Sequence, residues 1–168
     1  MQDIQFIITG GTLDKTYCTK EQNFVMLPKS EVVGYVKKFV NPDVIIHENV
    51  VTLLDSRDFT DQTREDIYKA ILNAKSNNII ITHGTDRMAH TGRYLKTKNI
   101  KGKKIIMVGS FYPLQSFVPT DAQFNLGYAM GMLASEALKE GGIYIAMNMK
   151  LFDPDKVTKN VQKEKFET

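Results

Sequence analysis

Apolar residues in this chain follow two alternating patterns. Short unbroken runs at 4–8, 44–46, 79–82, 105–108 and 143–147 are β-branched, of strand length and bounded by turn-forming residues. Runs of this kind suit strands buried on both faces of a parallel sheet. Between them, apolar positions recur at helical spacing. Ser30 is placed to cap a helix carrying Val32, Val33, Val36, Phe39 and Val40 on one face, with Asn41-Pro42 ending it. Thr60 is placed to cap a second, with Asp61 in its first turn and Ile67, Ala70, Ile71 and Ala74 inward. Residues 87–96 and 121–139 predict a third and a fourth. Strand and helix in alternation predict an α/β chain, a three-layer αβα domain with a mainly parallel sheet, spanning 1–168 as one domain. Segment 13–29 has no clear periodicity, and a connection that long in a compact domain is often a lid.

Composition changes this picture little. The 168 residues are enough to bury a core without disulfides or metal, and 42% are hydrophobic, an ordinary globular value. A formal charge of +3 gives no argument for a nucleic-acid partner. The lone Cys18 excludes an internal disulfide framework and suits a reducing compartment. No apolar run approaches the roughly 20 residues of a membrane span, so no membrane partner is expected. The start MQDIQFIITG has no basic leader region and enters a strand at once, as expected of a cytoplasmic protein.

In open sheets of the Rossmann or flavodoxin-like kind, a ligand lies outside the carboxyl ends of the strands, where the strand order switches. The residues there are Thr9-Gly10-Gly11-Thr12, Leu54-Asp55-Ser56-Arg57-Asp58, His83-Gly84-Thr85-Asp86-Arg87, Gly109-Ser110-Phe111 and Asn148-Met149-Lys150. Hydroxyls and carboxylates therefore collect at one sheet edge. No cysteine sits there and the three histidines lack metal-ligand spacing, so neither a metal nor another cofactor is expected. The pair of glycines is not a GxGxxG or GxxxxGK[ST] pattern, which leaves nucleotide phosphate binding weakly supported. Threonine chemistry remains. A threonine hydroxyl becomes a nucleophile when a neighbouring base takes its proton, and a desolvated lysine is one such base. Glycines let backbone N–H groups approach a substrate carbonyl and stabilise an oxyanion.

ITGGTL at 8–13 resembles the TGGTI motif of bacterial-type L-asparaginases, and ITHGTDRM at 81–88 resembles their HGTDT motif. IIMVGSFYPLQSFVPTDAQFNL at 105–126 is similar to the family's G-[AS]-x-x-P stretch and D-x-x-F-N-L helix start. DPDKVTKN at 153–160 resembles its lysine-bearing segment, and DSRD at 55–58 its Ser-Gln-Asp element. The resemblance implies hydrolysis of an amino-acid amide, asparagine or a close relative, to the acid and ammonia. It implies Thr12 as nucleophile, with Thr85, Asp86 and Lys159 handling the proton and Asp86 also holding the α-ammonium. Ser56 then binds the α-carboxylate, and backbone around Gly11, Gly84 and Ser110 holds the reacting amide.

Three departures accompany the resemblance. Phe24 stands where the family has a lid tyrosine, leaving Tyr17 as the alternative source of that hydroxyl. Arg57 replaces a glutamine that helps bind the α-ammonium. The family's second domain, which lends an acidic group to a neighbouring site, is not in this sequence, which resembles the family's short single-domain form. Other features read as structural: His83 packing beside a strand end, His90 on a helix, KTKNIKGKK at 96–104 as a solvated connection, and the methionines as core or interface filler. Two function classes stay open, an amidohydrolase and a binding or regulatory module that kept the pocket. The aromatic and methionine content of 111–132 predicts a homo-oligomer, at least a dimer.

Overall fold

Alternate residues of the central strands divide between two cores, and this division sets the layers. The computed structural model describes residues 3–41, 43–135 and 137–168. In chain order the first elements are β1 (Asp3–Gly10), β2 (Lys15–Cys18), β3 (Asn23–Met26), α1 (Val32–Tyr35), β4 (Ile45–Leu54), α2 (Asp61–Leu72) and β5 (Asn78–Thr82). There follow α3 (Met88–Thr97), β6 (Lys104–Val108), α4 (Ala122–Ala134), β7 (Ile143–Met147), β8 (Lys150–Phe152), β9 (Thr158–Asn160) and β10 (Lys165–Glu167). Ile4, Phe6, Ile8, Ile80, Ile106 and Val108 face α1 and α4. Ile7, Ile79, Ile81, Ile105, Met107 and Ile145 face α2 and α3. Both faces of the sheet are covered, as the unbroken apolar runs predict.

The six-stranded sheet has the order β4-β1-β5-β6-β7-β8, with β8 the one antiparallel member. The chain leaves β1 for one side and returns to pair β5 on the other, so the strand order switches at β1. The fold is the three-layer αβα arrangement expected from the sequence. Helix α2 begins where Thr60 and Thr63 cap it reciprocally, each hydroxyl accepting the other's backbone N–H at 3.2 and 3.3 Å.

Four elements differ from the sequence reading. Helix α1 is one α turn that continues as a wider π turn over Val36–Val40, closed by the Asn41 N–H donating to the Val36 carbonyl at 3.0 Å. The extra residue per turn rotates the end of the helix, and Phe39 is 63% exposed instead of inward. Asn41 takes a left-handed conformation there, and Pro42 lies outside the described residues. Helix α4 stops at Ala134 and not at 139, because Ser135 turns extended and donates its hydroxyl back to the Met132 carbonyl. Strand β4 runs to Leu54, well past 46; it is a sheet edge, and its polar, half-exposed residues hide the strand period. Segment 13–29 contains the β2–β3 hairpin, pairing Tyr17 with Phe24. No helix among the described residues is long and apolar enough to cross a membrane.

Candidate active site

The glycines of the first strand end are filled by protein on both sides. Gly10 and Gly11 take φ of 90° and 82°, which a side chain tolerates poorly. A Cβ on Gly10 would lie 2.6 Å from the Leu54 backbone, and one on Gly11 2.4 Å from the Gly84 nitrogen. A Cβ on Gly84 in turn would meet the Ser56 hydroxyl at 2.5 Å. Three strand-end loops thus interlock at backbone distance, and the residues next along each chain, Thr12 and Thr85, flank the contact. One expectation is corrected here: the Gly11 N–H donates to the Leu54 carbonyl at 3.0 Å, so it is not free to serve an oxyanion. Buried Thr9 and Thr82 continue the β1–β5 ladder with their side chains. Thr9 donates its hydroxyl to the Thr82 carbonyl at 2.5 Å, and the Thr82 hydroxyl accepts the Thr9 N–H at 3.2 Å. Strand pairing gives way to hydroxyls where the two backbones diverge.

A chain of charges runs across this edge. Lys159 Nζ donates to Thr85 Oγ1 at 2.7 Å and to Asp86 Oδ1 at 2.6 Å. Asp86 Oδ2 faces Arg57 Nε at 3.5 Å. Arg57 grips Asp55 through Nε and Nη2, both at 2.9 Å, and Lys15 reaches Asp55 Oδ2 at 2.7 Å. The Arg57 hydrogen bonds hold the Asp55 carboxyl well below the usual carboxylate range, with Lys15 adding to this against the opposing effect of burial. Asp55 in turn raises the basicity of Arg57. Because Thr85 Oγ1 accepts from the Lys159 ammonium, its own proton is left to point elsewhere.

Lys159 is held in place by a run of polar groups centred on buried Asn125. It sits on β9 opposite Phe166 of β10, and the Phe166 side chain is buried in the α2–α3 core. The Phe166 N–H donates to Asn148 Oδ1 at 2.7 Å, and the Asn148 N–H to Asn125 Oδ1 at 3.2 Å. Asn125 donates to the Gly109 carbonyl and to Asp121, whose carboxylate accepts the N–H groups of Phe111 and Tyr112. The Phe111 ring then lies 5.3 Å from Lys159 Nζ, within cation–π range.

His83 lies fully buried between these parts. Its Nδ1 donates to the Gly84 carbonyl at 2.7 Å, which leaves Nε2 to accept the Thr91 hydroxyl at 2.8 Å. Burial pushes its basicity down to about 4, so it is neutral at ordinary pH. Ser56 is buried and accepts the Arg87 N–H at 3.2 Å. The Ser110 hydroxyl donates to the Tyr112 carbonyl at 2.5 Å, and the residue is fully buried. Tyr17 and Phe24 share one face of the hairpin with ring centroids 5.6 Å apart, each 41% exposed, and Phe117 packs on Tyr17 at 6.0 Å. A groove of about 1180 Å³ between α1 and residues 114–117 contains none of Thr12, Thr85 or Lys159. Sequence reasoning missed Lys15 and the Asp121–Asn125 pair as organisers of the site. The signal for the second was the D-x-x-F-N-L spacing, which puts both polar groups one helical turn apart.

A family model described as asparaginase, N-terminal, matches residues 3–167. The chain is 29% identical over 164 residues to L-asparaginase 2 of Escherichia coli (strain K12), covering 95% of this chain and 47% of that protein. It is 34% identical over 85 residues to a glutaminase-asparaginase of Acinetobacter glutaminasificans, covering 51% and 25% respectively. Among solved structures, the thermostable L-asparaginase from Thermococcus kodakarensis superposes with a TM-score of 0.81 at 23% identity, covering 99% of this chain and 51% of that one. The probable cytoplasmic L-asparaginase from Campylobacter jejuni gives 0.78 at 22%, with the same coverage. The chain spans no more than about half the length of the relatives it matches. Matched from one end of its fold to the other, the chain belongs to the asparaginase family, in the part of it that is N-terminal.

Proposed function

We propose that this chain is an amidohydrolase that cleaves the side-chain amide of L-asparagine or a close amide to the acid and ammonia, with Thr12 as nucleophile. The observation that carries the reading is the Lys159 ammonium, fixed at 2.7 Å from Thr85 Oγ1 and 2.6 Å from Asp86 beside the Gly11–Gly84 contact that flanks Thr12. Thr12 Oγ attacks the amide carbon, the C–N bond breaks, and the Thr12 proton leaves with ammonia. Thr85 is the relay: polarised by Lys159, its hydroxyl gives a proton to the departing nitrogen and recovers one from Thr12. Water then attacks the ester, releases the acid and restores Thr12. Ser56, accepting the Arg87 N–H, keeps its own proton for a substrate carboxylate. Tyr17, on the hairpin after Thr12, supplies the lid hydroxyl, and backbone at Gly84 and Ser110 receives the amide.

We read residues 1–168 as a single domain of the asparaginase N-terminal type, acting on a small molecule without a cofactor. Its compartment in this reading is the cytoplasm, in keeping with the lone Cys18. Phe117 is 80% and Phe124 68% exposed, and open space beside Gly127 and Gly131 extends the Phe124 face of α4. A second copy of the chain covering these residues gives a homo-oligomer of at least two subunits. Met130, in contrast, is core.

Ammonia release from L-asparagine, L-glutamine and D-asparagine by the purified chain tests the reading. Release from at least one, lost in Thr12→Ala, is the expected result. Silence on all three, with thermal stabilisation by one of them, makes this a binding module. Light scattering at micromolar concentration tests the assembly, and a monomer refutes it.

A further inference from the structure

Asp86, the carboxylate that receives an amino acid's α-ammonium in the reading above, already has a cation on each oxygen. Lys159 holds Oδ1 at 2.6 Å, and Arg57 Nε stands 3.5 Å from Oδ2. Arg57 is tethered to its neighbour. Two bonds to Asp55 fix its planar fork, and Asp55 is itself held by Lys15. The bonded network joins three cations, Lys15, Arg57 and Lys159, to two carboxylates, Asp55 and Asp86, with the Asp58 carboxylate acting on Arg57 from nearby. An ammonium arriving at Asp86 meets the Arg57 guanidinium already standing 3.5 Å from Oδ2, whereas a ligand without that ammonium meets no like charge there. The fork also has capacity to spare. Nε and Nη2 are engaged by Asp55, while Nη1 has no partner among the described residues, and the side chain is 64% exposed.

We propose that the site selects a dicarboxylic acid mono-amide lacking an α-ammonium group, of the succinamate type, over a free amino-acid amide, with Arg57 as the specificity-determining residue. This deepens the amidohydrolase reading and rests on it for the reaction. Thr12 Oγ bonds to the amide carbon, ammonia departs with the Thr12 proton, and water cleaves the ester to give succinate and free Thr12. The selectivity itself is a property of binding and is readable without turnover. Arg57 acts at the carbon next to the carboxylate, where an amino acid carries its ammonium and succinamate carries only hydrogen. Removing the guanidinium uncovers Asp86 Oδ2 for an ammonium.

Calorimetric titration of the whole chain with succinate and with L-aspartate at neutral pH, for wild type and Arg57→Gln, is the test. Wild type is expected to bind succinate about tenfold more tightly, the scale of a single charge-assisted hydrogen bond. Arg57→Gln is expected to bring the ratio to unity or reverse it. Aspartate binding as tightly as succinate in wild type, an unchanged ratio in Arg57→Gln, or no binding of either ligand overturns the proposal. Ammonia release from succinamate and L-asparagine, measured alongside, separates it from the reading beneath. Selective binding with neither amide hydrolysed sinks the hydrolase and leaves the selectivity standing. Faster turnover of asparagine, unaltered in preference by Arg57→Gln, sinks the selectivity and leaves the hydrolase.

Discussion

Two small hairpins flank the same edge of the sheet, and they are built to opposite ends. Both are two-stranded antiparallel ribbons separate from the main sheet. A ribbon of that size has little stability of its own and depends on what it packs against. The β9–β10 ribbon drives Phe166 into the core and ties its backbone to Asn148, so Lys159 is carried on a fixed arm. The β2–β3 ribbon presents Tyr17 and Phe24 to solvent and is fastened at its root, by Lys15 to Asp55 and by the Leu27 N–H to the Asp14 carbonyl. That root also holds a flaw. The Asp14 side chain is fully buried with neither carboxylate oxygen well hydrogen-bonded. Burial pushes its acidity toward the protonated form, Ser30 and the Glu31 amide offset only part of this, and nearby Glu48 and Glu31 add to it. In the proposed reading the contrast has a purpose: the group that handles the proton is held rigidly, whereas the ribbon after Thr12 is left free to admit substrate.

The largest expected effects fall on the fixed arm. Lys159→Met and Thr85→Val are each predicted to cut turnover on the order of a thousandfold or more with the fold intact. The double variant should be scarcely worse than either single one, since the two groups act as a unit. Steady-state ammonia release with circular dichroism checks both, and additive losses contradict the shared role.

Stability should divide the two ribbons next. Phe166→Ala is predicted to lose about 3 kcal/mol in urea unfolding and to take activity with it. Phe24→Ala, on the exposed ribbon, should stay within about 0.5 kcal/mol. Equal losses would erase the distinction between the fixed arm and the exposed ribbon.

Protonation gives smaller, signed effects. His83 is neutral in the fold, down at about 4, while the unfolded chain takes its proton near the ordinary value of 6.5. The unfolded state therefore binds more protons as pH falls through that window, and stability is lost. Between pH 7 and 5 the loss is about 2 kcal/mol, measurable by denaturant titration. Asp14 has the opposite sign. Its acidity is weakened on folding, so its contribution is intact below the ordinary carboxylate value of 3.8 and is lost as pH rises. Asp14→Asn should accordingly be more stable than wild type by about 1 kcal/mol at pH 7, with the gain vanishing near pH 4.

Much of the fold was legible because β1, β5, β6 and β7 are buried on both faces and are rich in isoleucine and other apolar residues. Strand β4 was read only in part, since an edge strand mixes His47, Glu48 and Asn49 with its apolar residues. The hairpins escaped because four-residue strands such as Lys15–Cys18 are too short to show a period. Thr12, Thr85, Asp86 and Lys159 were found through motif resemblance. Their spacing alone gives no hint that residues 74 positions apart share a hydrogen bond. The glycines were misread in one respect. Gly11 and Gly84 are small because other strand ends press on them, a property of packing that no local sequence rule contains.

The central claim is that Thr12 is the nucleophile of an amide hydrolysis, and an acyl-enzyme is its direct trace. Acid quench of the wild-type chain during turnover, followed by proteolysis and peptide mass measurement, reads it. The account predicts an acyl adduct on the peptide containing Thr12, absent from Thr12→Ala, which also releases no ammonia. Ammonia release undiminished in Thr12→Ala, with no adduct on that peptide in wild type, would contradict it.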